Sequence, residues 1–335
     1  GSQEAWDLNA NWIKSNGSQI NQEGVFPFVL TGQSIDRNFY DHLNTYTGES
    51  GSDGVVRVAA ANLQATYLKL VQQVPQSNED IKSKKRQPWI ATKLTVDKFY
   101  NAPKVALKIL KARSHSGKSM GIMRSVKKSA TDHKSQETIK SILDCIKIKN
   151  RADYQQLVAD FKKENDTNQA LEKLEVIKNI LLSDSRYIHD RYSMVIFKVC
   201  DHQGYPINDF DLILTAGKDS DPNHLPAGFF VDKQRNLSHP NIITFYFNYD
   251  LMTGTAAVID DDGKIIREAK RGINRLGLQI IPRPSQGFVH YLPCEIDASQ
   301  NLLTKVLQPN CTSLINICLQ RVVFKNVMRL DKGSK

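Results

Sequence analysis

The sequence predicts an α/β segment joined by helices to an all-β segment. Three observations predict it. Up to residue 110, strand-like apolar runs alternate with a helical period. From 122 to 182 the chain is polar and helical, and beyond 183 it breaks into short β-like runs separated by turn residues.

Residues 5–14 have a short helical pattern closed by Asn16-Gly17, and Val25–Thr31 is a buried strand stopped by Gly32. A polar loop follows, running through Ser34-Ile-Asp-Arg37 and Thr47 to Gly54. Val58, Ala61, Leu63, Tyr67, Leu70 and Val71 then predict a helix from Val55 to Val74, ended by Pro75. Ile81 to Pro88 is a basic loop, and Val105–Leu110 is the next strand. Strand, helix, strand favours a parallel sheet, but about two strands cannot close an α/β domain. Further strands are therefore expected ahead of residue 1, and the leading Gly1-Ser2 reads as a scar of tag cleavage.

Lys127, Lys128, Lys134, Lys140, Lys147 and Lys149 give the helical stretch a basic face. Leu171, Leu174, Ile177, Ile180 and Leu181 continue it as an apolar stripe. The β-like runs are Tyr192–Cys200, Phe210–Ala216, Asn241–Asn248, Ala256–Asp260, Leu276–Pro282, Phe288–Leu292 and Ser313–Val323, a density that predicts an antiparallel β-sandwich. The expected division is 1–128 for the α/β part, 129–183 for the helical connector and 184–332 for the β-sandwich.

The 335 residues fit two domains, with hydrophobic content of 40% and charged content of 24%, ordinary for a globular chain. No apolar run reaches the roughly 18 residues of a membrane helix, and no secretory signal opens the chain. A net charge of +10 favours acidic partners or a solvated lysine-rich surface. No nucleic-acid module signature accompanies it, so nucleic acid is not expected as a partner. Cys145, Cys200, Cys294, Cys311 and Cys318 have neither zinc-site nor disulfide-frame spacing and are expected as reduced, mostly buried thiols. Together with the missing signal they suit a cytoplasmic protein.

The segment Val105–Gly121 carries the chemistry: an apolar strand runs into His115, a glycine-punctuated turn and a helix start. Three readings compete. Ala112 to Lys118-Ser119 fits a permissive phosphate loop, but its interior lacks the glycines that let backbone N–H groups wrap phosphate. Gly117-Lys-Ser119-Met-Gly121 fits a nucleophile elbow, but the only nearby downstream acid and histidine, Asp132 and His133, are adjacent on one helix. In the third reading His115 is a general base at a strand tip, and its orienting carboxylate comes from the loop after the preceding strand. Asp53 stands there, 62 positions earlier, with Gly54 permitting a tight turn. Asp36 competes with it.

Ser52-Asp-Gly-Val-Val-Arg57 resembles the acid loop of bacterial α/β-hydrolase lipases. Arg113-Ser-His-Ser-Gly117 with Met120-Gly-Ile-Met-Arg124 resembles their histidine loop, and Asp7-Leu-Asn9 and Phe28–Gly32 resemble the segments before the acid. His189–Ser193, Phe229–Asn236 and Gly287–Leu292 resemble a β-rich appendage of bacterial phospholipase-like hydrolases. The chain as a whole is similar to translocated effector lipases of the SidB type.

The resemblance implies the carboxyl-terminal part of an α/β-hydrolase sheet and a Ser-His-Asp lipase or phospholipase, in which Asp53 and His115 are catalytic and no cofactor or metal is needed. The nucleophile is expected outside this chain, which alone should be inactive. Further expectations are a lipid or phospholipid ester substrate, a virulence-related effector role after translocation into a host cell, a host protein partner, and peripheral docking on anionic membrane through Lys84, Lys85 and Arg86. The alternative is a non-catalytic membrane- or protein-binding module on a hydrolase remnant.

Other residues carry plainer readings. His42 is expected as a surface histidine. Asp219, Asp221, Asp260, Asp261 and Asp262 are expected as solvated turns rather than a calcium site. Phe245, Phe247 and their neighbours Tyr246 and Tyr249 are expected as core and cross-strand packing rather than a lipid contact.

Overall fold

Trp6, Ala10 and Ile13 share one face of an opening helix, α1 (Gln3–Lys14), and are buried against Tyr67 and Leu314 of a large sheet. The computed structural model describes residues 3–34, 51–73, 92–117, 120–127, 129–171, 173–177, 185–283, 289–296 and 302–322. Asp36, His42, Lys84, Lys85, Arg86, Lys118 and Ser119, for which the sequence carries expectations, lie outside these residues.

Two short strands, β1 (Phe28–Gly32) and β4 (Ala106–Leu110), form a parallel pair in which Phe28 faces Ala106 and Gly32 faces Leu110. Both expected strands are found. The helices α3 (His133–Ile146) and α4 (Arg151–Leu171) follow β4, and α4 packs on it. Tyr154 of α4 donates to the Pro27 carbonyl at 2.6 Å and accepts from the Ala106 N–H at 3.2 Å, bridging the starts of both strands. Asn165, two to three turns further on, accepts from the Ile109 N–H at 2.8 Å and donates to the Leu107 carbonyl at 2.7 Å. Residues 107 and 109 share one edge of β4, so this amide closes that edge as a neighbouring strand would.

Between β1 and β4 the expected helix is overturned. A single turn, α2 (Val58–Ala61), leads into the strands β2 (Ala65–Gln72) and β3 (Thr92–Asn101). Leu68 and Leu70 point into one core while Tyr67 points to α1, so the period of two wins over the helical spacing. The helical stripe expected through Leu174 and Ile177 is likewise replaced by a hairpin of β5 (Leu174–Ile177) and β6 (Ser185–Ile188).

The expected β-rich runs are present as β7 (Tyr192–Asp201), β8 (Phe210–Ala216), β10 (Ile242–Asn248), β11 (Val258–Ile259), β13 (Leu276–Pro282), β14 (His290–Tyr291), β16 (Thr312–Leu319) and β17 (Arg321–Val322). Added to them are β9 (Phe230–Arg235), β12 (Ile265–Arg267), β15 (Cys294–Ile296) and two short helices, α5 (Tyr249–Thr253) and α6 (Leu302–Val306).

They do not form the expected antiparallel sandwich. Nine strands make one curled, half-barrel sheet in the order β8-β13-β15-β3-β2-β16-β7-β10-β9. The sheet is mixed: β16 runs parallel to both β2 and β7, and β15 runs parallel to β3. Residues 65–101 and 192–319 therefore contribute to the same sheet. Its inner face holds the main core, with Leu68, Leu70, Val195, Phe197, Val199, Leu278, Ile280, Ile315 and Ile317 each at most 1% exposed. Phe245, Tyr246 and Phe247 are all buried, so this run is core on both faces. Phe229 stacks on Phe247 at 4.8 Å, and Tyr246 stacks on Tyr192 at 5.1 Å.

A buried ion cluster ties the β5–β6 hairpin to the sheet. Lys173 reaches Asp190 and Asp250, each at 2.6 Å, Arg191 donates to Asp250 at 2.7 Å, and Arg267 forms an ion pair with Asp190. Asn248 adds a 2.7 Å hydrogen bond to Asp190. Burial pushes the Asp190 carboxyl up, but Arg267, Asn248 and Lys173 together hold it below its ordinary value of 3.8. A carboxylate depressed on folding contributes stability above its unfolded value and loses it as pH falls through the folded value. Asp190→Asn is therefore expected to destabilise the fold by about 2–4 kcal/mol at neutral pH, because the half-buried Lys173 and Arg267 lose their shared counter-charge. In urea unfolding the difference from wild type should begin to shrink as pH falls below about 4, where the unfolded-state carboxylate protonates, and should be lost only once pH has passed through the depressed folded-state value.

Candidate active site

The turn after residue 51 is built around one carboxylate. Asp53 is buried, and its Oδ1 accepts from the N–H groups of Val55 at 3.1 Å and Val56 at 2.8 Å, while its own N–H donates to the Val56 carbonyl. Gly54 takes φ +98°, the left-handed region that glycine enters without strain, and so allows the reversal. With Oδ1 held by two amides, Oδ2 is left to face the neighbouring loop.

That loop follows β4. Ser114 donates its N–H to the Met120 carbonyl, Ile122 donates back to Ser114, and Gly121 donates to Gly117, tying residues 114–117 to 120–122. His115 stands at its start. The Nδ1 of His115 lies 3.2 Å from Asp53 Oδ2, and its backbone N–H donates to the Asp53 carbonyl at 2.7 Å. One loop thus fixes both the main chain and the imidazole of the other. With Nδ1 protonated and donating to Asp53, Nε2 is the basic nitrogen, and among the described residues none bonds it. The carboxylate side chain is 4% exposed and the imidazole 49%, so the acid is shielded and the ring is open to an incoming group. The two residues paired in the sequence reading are brought together.

Three supports had no local signal. Gly32, the last residue of β1, lies against the start of the histidine loop: a Cβ there would sit 1.9 Å from the Arg113 carbonyl oxygen. The same carbonyl accepts from the Ser34 N–H at 3.1 Å. The Arg113 side chain is buried and donates to Ser135 Oγ at 3.2 Å, with Asp132 3.7 Å away at the N-cap of α3. The hydroxyl of Ser135 holds the Asp132 carboxyl below its ordinary range, helped by the Ser135 N–H and, more weakly, by Arg113. On the acid side, Arg57 donates to Asp232 of β9 at 2.6 Å and lies 4.2 Å from the centre of the Tyr246 ring. Tyr246 donates its hydroxyl to the Gly51 carbonyl at 3.3 Å, and Thr312 donates to Ala59 at 2.8 Å. The curled sheet therefore holds the acid loop in place.

The remaining candidates lie elsewhere. Asp260 accepts from the N–H groups of Lys264 and Asp262 and pairs with Arg186 at 3.1 Å, so it is a turn former. Asp219, Asp221 and His224 cluster at the surface, their ligand-type atoms within 4.8 Å of one another. No described helix is long and apolar enough to cross a membrane.

With this geometry in view, similarity to solved structures supports a bacterial phospholipase family. Two similar structures are of phospholipase PlaB from Legionella pneumophila. In complex with thio-NAD it shares 34% identity with this chain at a TM-score of 0.81, covering 100% of this chain and 66% of that one. The second structure gives 34% identity, a TM-score of 0.79, and coverage of 100% and 64%. The chain thus spans somewhat under two thirds of the length of the relatives it matches. No protein-family model and no curated protein matches it. The comparisons support the phospholipase resemblance and give none to the narrower SidB-type affiliation.

The contact at Gly32 gives a direct test. Gly32→Ala should destabilise the fold by about 1–3 kcal/mol in chemical denaturation, because the obstructing atom is backbone and cannot rotate aside. It should also broaden or shift the His115 ring resonances in NMR spectra, whereas an alanine placed at the open Gly204 turn should leave them unmoved.

Proposed function

We propose that this chain supplies the acid and the base of a Ser-His-Asp lipase or phospholipase-like ester hydrolase whose nucleophilic serine comes from sequence beyond the described residues. The observation that carries the reading is the Asp53–His115 pair: a buried, amide-anchored carboxylate on Nδ1 of an imidazole whose opposite nitrogen is open. The similarity to a phospholipase supports an ester of a lipid as substrate.

In this reading His115 Nε2 takes the serine proton as the oxygen attacks the ester carbonyl, and Nδ1–H stays hydrogen-bonded to Asp53 Oδ2. The imidazolium that forms is stabilised by the shielded carboxylate and returns its proton to the leaving alkoxide. A water deprotonated by the same imidazole then releases the acyl group. The two amides on Oδ1 keep the carboxylate from swinging away during these steps. A host-directed effector role and peripheral membrane association rest on the sequence resemblance and on the +10 charge alone.

The test uses the longer protein with an esterase assay and a serine-reactive probe. His115→Ala should abolish probe labelling and turnover, and Asp53→Asn should lower kcat by about 10⁴-fold with KM little changed. Turnover that survives His115→Ala undiminished would remove the catalytic reading and leave the alternative of a binding module.

A further inference from the structure

Two cysteines that the candidate site does not use stand side by side in the large sheet. The parallel register of β7 and β16 sets Cys200 directly opposite Cys318. Neighbouring strands lie about 4.8 Å apart, within the roughly 4.4–6.8 Å between Cα atoms over which a disulfide closes without moving the backbone. Both sulfurs also share a face. On β7 the core takes Val195, Phe197 and Val199, and on β16 it takes Ile315, Ile317 and Leu319, so Cys200 and Cys318 point the other way, to the side on which Ile196 and Leu314 meet α1. Cys200 Sγ donates to Asn316 Oδ1 at 3.5 Å on that same face, and each cysteine is 8% exposed.

The pair is chemically uneven. The adjacent Cys200 thiol lowers Cys318 to about 7, with burial opposing and the ammonium of Lys69 assisting against the carboxylates of Asp201 and Asp97. Cys200 is pushed up by its neighbour Cys318 and by burial. The other thiols lack both features. Burial pushes Cys145 up to about 11, and Cys294 and Cys311 each up to about 12. Cys294 faces Ile280 and Thr92 across its strands, and Cys311 accepts from Asn62.

We propose that Cys200 and Cys318 are a redox modification site, closed by hydrogen peroxide into a reversible disulfide that staples β7 to β16. The Cys318 thiolate attacks one oxygen of the peroxide. An S–O bond forms and the O–O bond breaks, and the departing hydroxide takes up the proton that Cys318 had released. The Cys200 sulfur then attacks the Cys318 sulfenic acid, forming the S–S bond and expelling the hydroxyl group, which leaves as water with the Cys200 proton. Two thiols and one peroxide give one disulfide and two waters, and a dithiol reverses the step. The closed loop spans residues 200–318, so the crosslink constrains a long stretch of the unfolded chain.

The test treats the folded, full chain with a few equivalents of hydrogen peroxide, blocks remaining thiols with a maleimide in denaturant, and maps unreduced peptides by mass spectrometry. The expected product is the Cys200–Cys318 linked peptide, with Cys145, Cys294 and Cys311 alkylated. Treated protein should melt several degrees higher, and dithiothreitol should undo both changes. In Cys200→Ser the link should vanish while dimedone traps a sulfenic acid at Cys318, with no rise in melting temperature. Full alkylation of Cys200 and Cys318 after peroxide, or links that join other cysteines or two chains, would overturn the proposal. The wild-type map decides the matter even where a variant folds poorly.

Discussion

A strand near the carboxyl end of the described chain, β16, fills the slot between β2 and β7 and makes the nine-stranded sheet continuous. Buried backbone N–H and C=O groups must be paired, and the facing edges of β2 and β7 find their partners in this one strand. Eight residues, Thr312–Leu319, thus hold together segments that are more than a hundred positions apart in sequence. Ile315 and Ile317 are fully buried on its inner face, and Thr312 reaches Ala59 beside the acid loop. Placement of the Asp53 carboxylate therefore depends on the last part of the sheet to be synthesised.

The candidate site is divided between two supports. The histidine loop is braced by the parallel pair and by Arg113 beneath it, and the acid loop is braced by the curled sheet through Arg57, Tyr246 and Thr312. Burial pushes the Asp232 carboxyl up, but the hydrogen bonds from Arg57 and Gln234 hold it below its ordinary range, as expected for a carboxylate in a working ion pair. Asp53 and His115 join the two loops directly, through one main-chain and one side-chain hydrogen bond. The β-rich part of the chain thus acts on the site by positioning the acid.

The pairing of Asp53 with His115 was legible because each residue sits in a short, glycine-punctuated turn after an apolar strand, and such turns have strong local signatures. The run Tyr67–Val71 was not. Its apolar residues satisfy a helical and an alternating period at once, and only the core on one side and α1 on the other decide for the strand. The sandwich was predicted from correctly placed strands. Their order was hidden because β16 returns across 247 positions to pair with β2, and no local pattern encodes that pairing. The ties from Arg57 to Asp232, 175 residues apart, and from Gly32 to Arg113 were invisible for the same reason.

The side-chain amide of Asn165 has an architectural consequence. It takes up the Ile109 N–H and the Leu107 carbonyl, two of the groups through which another strand would add to this edge of β4. A side chain from a helix thus caps the layer on that flank, and among the described residues β1 pairs with β4 alone, which leaves its far edge as the side on which the parallel pair can widen.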